Sequence, residues 1–193
     1  MRYPLALAAA VLMLAACDTT APDLSTANVS ATPAHADARS GDTTLGPALA
    51  AVRAATAPYH SVDRAVADGW GDPVISGCVA HPELGGMGHH YINLGLLLDG
   101  GALDPTTPEV LLYEPTKNGR FRLVGVEYVV PFETEPRAAD GGTAPELFGE
   151  TFTESDGANG WALHVWVWRH NPAGMFADFN PTVSCEYAQA PGA

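Results

Sequence analysis

The chain has 193 residues, 22 acidic against 9 basic, for a formal charge of −13 with His neutral. So acidic a chain argues against a nucleic-acid partner, which needs a basic surface to meet phosphates, and its acidity serves first to keep an exported protein soluble. With 47 % hydrophobic residues and no internal repeat, there is material for one domain with a proper core.

At the N-terminus Arg2 precedes an apolar run from Leu5 to Ala16, too short to span a bilayer and shaped like a secretory signal peptide over residues 1–16. The run ends Leu14-Ala15-Ala16-Cys17, which resembles the lipobox of bacterial lipoproteins. That resemblance implies lipidation of Cys17 and a membrane partner reached through the lipid. It places the protein in the bacterial cell envelope, on the periplasmic side. The alternative is an ordinary cleaved leader that abuts a Cys. Residues 17–44 are rich in Thr, Ala, Ser, Pro and Asp and cannot bury enough surface to offset their ordering entropy, so they read as a tether. Residues 45–193 remain as a single α+β domain, with short N-terminal helices packed on a mostly antiparallel sheet.

Within that domain, Pro47 to Ala55 and Tyr59 to Asp68 predict two short helices broken at Pro58, with Val52, Val62 and Val66 at helical spacing. Ser61 or Asp63 can cap the second, Gly69 can end it, and His60 reads as a surface residue. Glu109 to Glu114 and Phe121 to Val130 predict a hairpin around Asn118-Gly119. Beyond Val124 the second strand is apolar on both faces, which predicts a central position. Alternation would put Val124, Val126, Tyr128 and Val130 on one face and Leu123, Glu127 and Val129 on the other. Glu127 is then an acid where the pattern wants a hydrophobe. Pro131 to Gly160 reads as a long surface loop with an apolar knot at Leu147, Phe148 and Phe152.

Trp161 to His170 predicts a strand whose alternation places His164, Trp166, Trp168 and His170 on one face and Leu163, Val165 and Val167 on the other. The first face carries two imidazoles and two indoles, the second reads as core. The tail from Asn171 to Cys185 has turn residues around Met175, Phe176 and Phe179 and predicts a packed loop or last strand. With Cys17 assigned to lipid, Cys78 and Cys185 remain as an even pair in an oxidising compartment, which favours a disulfide over metal-ligating or unpaired thiols.

The chemistry-bearing residues gather in three patches: His81 to Tyr91 with its Gly85, Gly86 and Gly88, then Glu127, then His164 with His170. The glycines permit positive φ or a close approach to a ligand. His89 and His90 are neighbours in an extended segment, so only one of them can share a face with the site. One of these two, with Glu127 and His164, would supply two nitrogens and a carboxylate, a set that suits Zn²⁺ or non-haem Fe²⁺ with water in the open position. Met87 adds a thioether that would suit copper. Without metal, the same set can act as a general acid and base, or Glu127 can pair with Arg122, Arg169 or a Tyr hydroxyl in a satisfied core. The Trp residues can pack or offer a stacking platform to a small-molecule ligand. No GxSxG, P-loop or GxGxxG is present, and a Cys nucleophile is not expected of oxidised cysteines.

The blocks His89-His90-Tyr91, Leu111-Leu112-Tyr113, Arg122 to Val129 with its VGVEY, and His164-Val165-Trp166 resemble, in the same order, the domain of the oil-body-associated proteins of plants and their microbial relatives. The likeness runs from about Met87 to Trp168. Two further histidine positions of that pattern hold Leu94 and a Pro-Gly-Glu loop here. HPELGGMG and HVWVWRHNP also look like blocks of bacterial exported proteins of unknown function. The resemblance implies that His89 or His90, Tyr91, Glu127, Tyr128, His164 and Trp166 form one constellation. It leaves open whether the function is binding, metal-dependent catalysis or structure.

Overall fold

The computed structural model describes residues 45–188, so the leader, Cys17 and the tether up to residue 44 lie outside the described residues. The chain opens with α1 (Leu45–Thr56), a 3-10 turn at Ala57–His60 and α2 (Val62–Ala67). The Ser61 hydroxyl accepts from the Arg64 amide at the start of α2, and Gly69 at φ 104° follows its end, as the sequence predicts. Among the described residues no helix is long and apolar enough to cross a membrane.

The strands are β1 (Val79–His81), β2 (Gly85–Ile92), β3 (Val110–Pro115), β4 (Phe121–Pro131), β5 (Glu146–Leu147), β6 (Glu150–Thr151), β7 (Thr153–Ser155) and β8 (Gly160–Val165), with α3 (Leu94–Leu97) between β2 and β3. Six of them form one antiparallel sheet in the order β1-β2-β3-β4-β8-β7, and β5 pairs with β6. The architecture is therefore a mostly antiparallel sheet with a few short helices. Both strands of the predicted hairpin form within a residue of their expected ends, and β4 is central.

The sheet separates two apolar clusters. On one face Leu111, Tyr113, Val126, Tyr128, Leu163 and Val165 pack with Leu49 and Val52 of α1 and Ala65 of α2. On the other, Val110, Leu112, Val124, Val129 and Trp166 pack with Val183 from the C-terminal segment. The strict alternation expected of β4 fails at one point. Leu112 pairs with Gly125 but Tyr113 pairs with Leu123, so Val124 is an extra residue, a bulge that moves Leu123 to the same side as Val126.

A second departure follows in β8, which ends at Val165 instead of continuing to His170. Val167 donates its amide to the Val165 carbonyl, a tight reversal that breaks the period of two, while the Trp166 amide is taken by Met175. Trp168 therefore leaves the face of His164: its indole donates to Thr56 Oγ1 on α1, and its ring meets that of His60 edge-on at 4.3 Å. His170 is exposed, with its carbonyl accepting from Asn180 and Thr182.

The expected long loop at Pro131–Gly160 contains strands β5, β6 and β7. The apolar knot anchors it, with Phe152 buried and Leu147 and Phe148 packed on the core. Cys78 and Cys185 are disulfide-bonded across 107 residues, fastening the segment before β1 to the C-terminal loop. The glycines of β2 serve the chain's own packing and not a ligand. A Cβ on Gly85, at φ 95°, would strike Asn180 and Pro181, and one on Gly88, at φ 89°, would strike the Tyr113 carbonyl.

Candidate functional site

Three strands carry the site. Glu127 on β4 and His164 on β8 are direct cross-strand partners, which brings their side chains together on the second face. His90 on β2 reaches them across β3, where Leu112 stands opposite His90 and Val110 opposite Glu127. Two strand spacings of about 4.8 Å separate those backbones, a gap that only long side chains inclined toward each other can close. His90, Glu127 and His164 each place one potential ligand atom within 4.8 Å of the others, so the group could hold a metal ion.

The distances within the group are informative. His90 Nε2 lies 3.6 Å from Glu127 Oε2, and His164 Nε2 lies 3.7 Å from Glu127 Oε1. Both are too long for hydrogen bonds. Tetrahedral coordination with bonds of about 2.0–2.1 Å sets donor atoms roughly 3.3 Å apart, so these separations are close to what a shared ion requires. His164 is 4 % exposed, and neither of its ring nitrogens has a hydrogen-bond partner. Nδ1 faces Asp178 Oδ1 at 3.7 Å, again beyond hydrogen-bond length.

His90 is better anchored. Ser76 Oγ donates to the Gly77 carbonyl at 2.7 Å and accepts from the His90 amide at 2.9 Å, and it faces His90 Nδ1 at 3.1 Å. A hydroxyl proton so used would leave the imidazole proton on Nδ1 and turn the Nε2 lone pair toward Glu127. Burial dominates at His90 and lowers its pKa, against the pull of Glu127, with His164 and His89 adding to the lowering. At His164 burial acts in the same direction, but the facing carboxylates of Glu127 and Asp178 outweigh it and raise the pKa above its ordinary value. Asp178 is correspondingly lowered, chiefly by His164.

A cavity of about 330 Å³ adjoins the group, lined by His90, Glu127 and His164 and by apolar residues such as Val110, Val129, Ile92 and Leu97. Met87, singled out for its thioether, also lines it. Arg122 pairs with Glu114 at 3.3 Å and Arg169 binds Thr182, so neither neutralises Glu127.

Of the other residues expected at the site, the structure brings only Trp166 alongside, its ring parallel to that of His164 at 6.2 Å and its Nε1 donating to the Ala177 carbonyl. His89 does not take part. It alternates to the opposite side of β2, where its Nδ1 meets the Ser76 carbonyl at 3.0 Å and its ring meets Phe121 edge-on. Tyr91 packs against Tyr113 in the first cluster, and Tyr128 donates its hydroxyl to the Pro105 carbonyl there. Trp168 and His170 are removed by the break after Val165. His81 holds its own turn by accepting from the Glu83 and Leu84 amides. Two contributors have no signature in the sequence: Ser76, an ordinary loop residue, and Asp178, one acid among 22.

No family model matches this chain, and no curated protein or solved structure does either.

Proposed function

We propose that this α+β domain binds a divalent transition metal, Zn²⁺ or Fe²⁺, through His90, Glu127 and His164. We further propose that it works as a bacterial envelope lipoprotein on the periplasmic side, anchored to the membrane by lipid on Cys17. The observation that carries the metal reading is the convergence of a carboxylate with a buried and a partly buried imidazole that make no hydrogen bond to it. A self-satisfied core would close those gaps to about 2.7–3.2 Å. Instead His90 Nε2 stands 3.6 Å from a carboxylate oxygen, a gap that a cation bound by both would fill. Two His and one carboxylate leave a coordination position for water or a ligand, a donor set used by Zn²⁺ and by Fe²⁺.

The adjoining cavity favours a second reading, a metal-dependent enzyme of hydrolase or oxygenase type in which a metal-bound water faces the pocket. The proposed kinship with the oil-body-associated domain rests on the order of the shared blocks, and His90, Glu127 and His164 are the members of those blocks that converge.

The test is metal content by mass spectrometry on the chain purified without a polyhistidine tag, beside a His164→Ala, Glu127→Ala double variant. Near-stoichiometric metal, lost in the variant, is expected. Protein that stays metal-free after incubation with Zn²⁺, Fe²⁺ and Cu²⁺ overturns both readings.

A further inference from the structure

The cavity has a chemical character beyond its metal-binding end. Its ionisable lining groups are His90, Glu127 and His164, and no Lys or Arg lines it. Metal-bound imidazoles are neutral, so a divalent ion with Glu127 keeps a single positive charge at a place where the Glu127 and His164 side chains are each 5 % exposed, while Asp178, the further carboxylate that faces His164, is 55 % exposed and screened by water. A charge so poorly solvated is costly unless matched. The remaining coordination position therefore favours a singly negative donor over neutral water.

Besides the ligands, the walls include Val79, Met87, Ile92, Leu97, Val110 and Val129. Of the two hydroxyls that line the space, Ser76 holds His90, while Ser155 Oγ accepts from the Ala158 amide at 3.2 Å and keeps its proton to donate. A guest thus finds few polar partners besides the metal ligands and the Ser155 hydroxyl. The volume of about 330 Å³ sits at the small end of the range of about 300–1,000 Å³ for small-molecule sites. Exposed Val79 and Gly157 stand at its rim.

We propose that the pocket takes a small monocarboxylate with an apolar tail, its carboxylate on the metal and its tail between β2, β3, β4 and the turn at Ala158. This rests on the metal reading above. It adds a substrate class that the metal alone does not dictate.

The experiment uses the full chain loaded with Co²⁺, whose visible absorption reports changes in coordination. The Co²⁺ protein is titrated with acetate, butyrate, hexanoate and hexanol. Hexanoate is expected to change the spectrum at concentrations roughly tenfold or more below those needed with acetate, since each buried methylene adds to affinity. Hexanol should leave the spectrum unchanged. Ala158→Phe should erase the advantage of hexanoate without loss of Co²⁺, and Leu97→Ala should move the preference to a longer acid. Co²⁺ uptake with no response to any acid, or with acetate and hexanoate equally effective, overturns this inference and leaves the metal reading standing. Failure to take up Co²⁺ overturns the metal reading and this inference with it.

Discussion

His164 shows how the environment of one side chain sets its chemistry. An imidazole 4 % exposed with two unpartnered nitrogens is unusual, because buried polar atoms are nearly always satisfied. Its raised pKa has a consequence for loading. A proton held more tightly by His164 would compete with the proposed metal, so metal occupancy should fall on acidification through the histidine range, which a pH series of metal content would show. Glu109 supplies a separate prediction. It is buried, with its carboxylate accepting from the Val129 amide, and burial pushes its pKa up to about 7 despite that bond. A carboxyl whose folded pKa exceeds its unfolded value contributes stability below the unfolded value and loses it as pH rises through the folded one. The shift from 4.5 to about 7 corresponds to about 3 kcal/mol, lost across that window. Glu109→Gln, which mimics the protonated acid, should flatten this slope. Urea denaturation near pH 5 and near pH 8 would show the native chain losing about 2–3 kcal/mol more than the variant.

At the scale of elements, β2 positions His90 only because it can press against its neighbours. Gly88 at φ 89° lies where a Cβ would meet the Tyr113 backbone, two residues before His90. Gly88→Ala should cost about 1–3 kcal/mol and, by pushing β2 away from β3, lower metal occupancy. Calorimetry and metal analysis on one preparation would separate the two effects. Unchanged metal content in the destabilised variant would mean that β2 register does not set the site. The disulfide acts over a longer range. It closes a loop of 107 residues, and replacing both Cys78 and Cys185 with Ala should lower stability by about 4–5 kcal/mol in a chain-entropy account. Because Ser76, which holds His90, lies two residues from Cys78, the same variant should also weaken metal binding.

For the whole molecule, one sheet serves two purposes. Its first face seals a core under α1 and α2, while its second holds a smaller cluster with the site at its edge. The buried acid thus sits on the face with the smaller apolar cluster. The proposed anchor gives a prediction at this scale. Cys17→Ser should move the protein from the membrane fraction to the soluble one, since a single lipid-modified residue would be its tie to the bilayer. Finding the variant still in the membrane fraction would remove the lipid from the account. At a formal charge of −13, the released protein should stay soluble.

Features that depend on near neighbours were legible in the chain. The β3–β4 hairpin followed from strand patterning around Asn118-Gly119, the start of α2 from Ser61, and the choice of His90 or His89, though not which, from the alternation of an extended chain. The sequence also marked Glu127 as a misplaced acid and paired Cys78 with Cys185 by counting. The tertiary structure decided what depends on contacts between distant segments. The bulge at Val124 and the reversal at Val165 break the period of two, so Leu123 changes sides and Trp168 and His170 leave the site. Neither irregularity is written in local composition, because the bulge depends on pairing with β3 and on the Trp168 amide that donates to the Val124 carbonyl, and the reversal on the Met175 carbonyl that takes the Trp166 amide. Asp178 and Ser76 join the site for the same reason. They are ordinary residues whose position follows from how the loops fold over the sheet, and a pattern of apolar and polar positions carries no record of that.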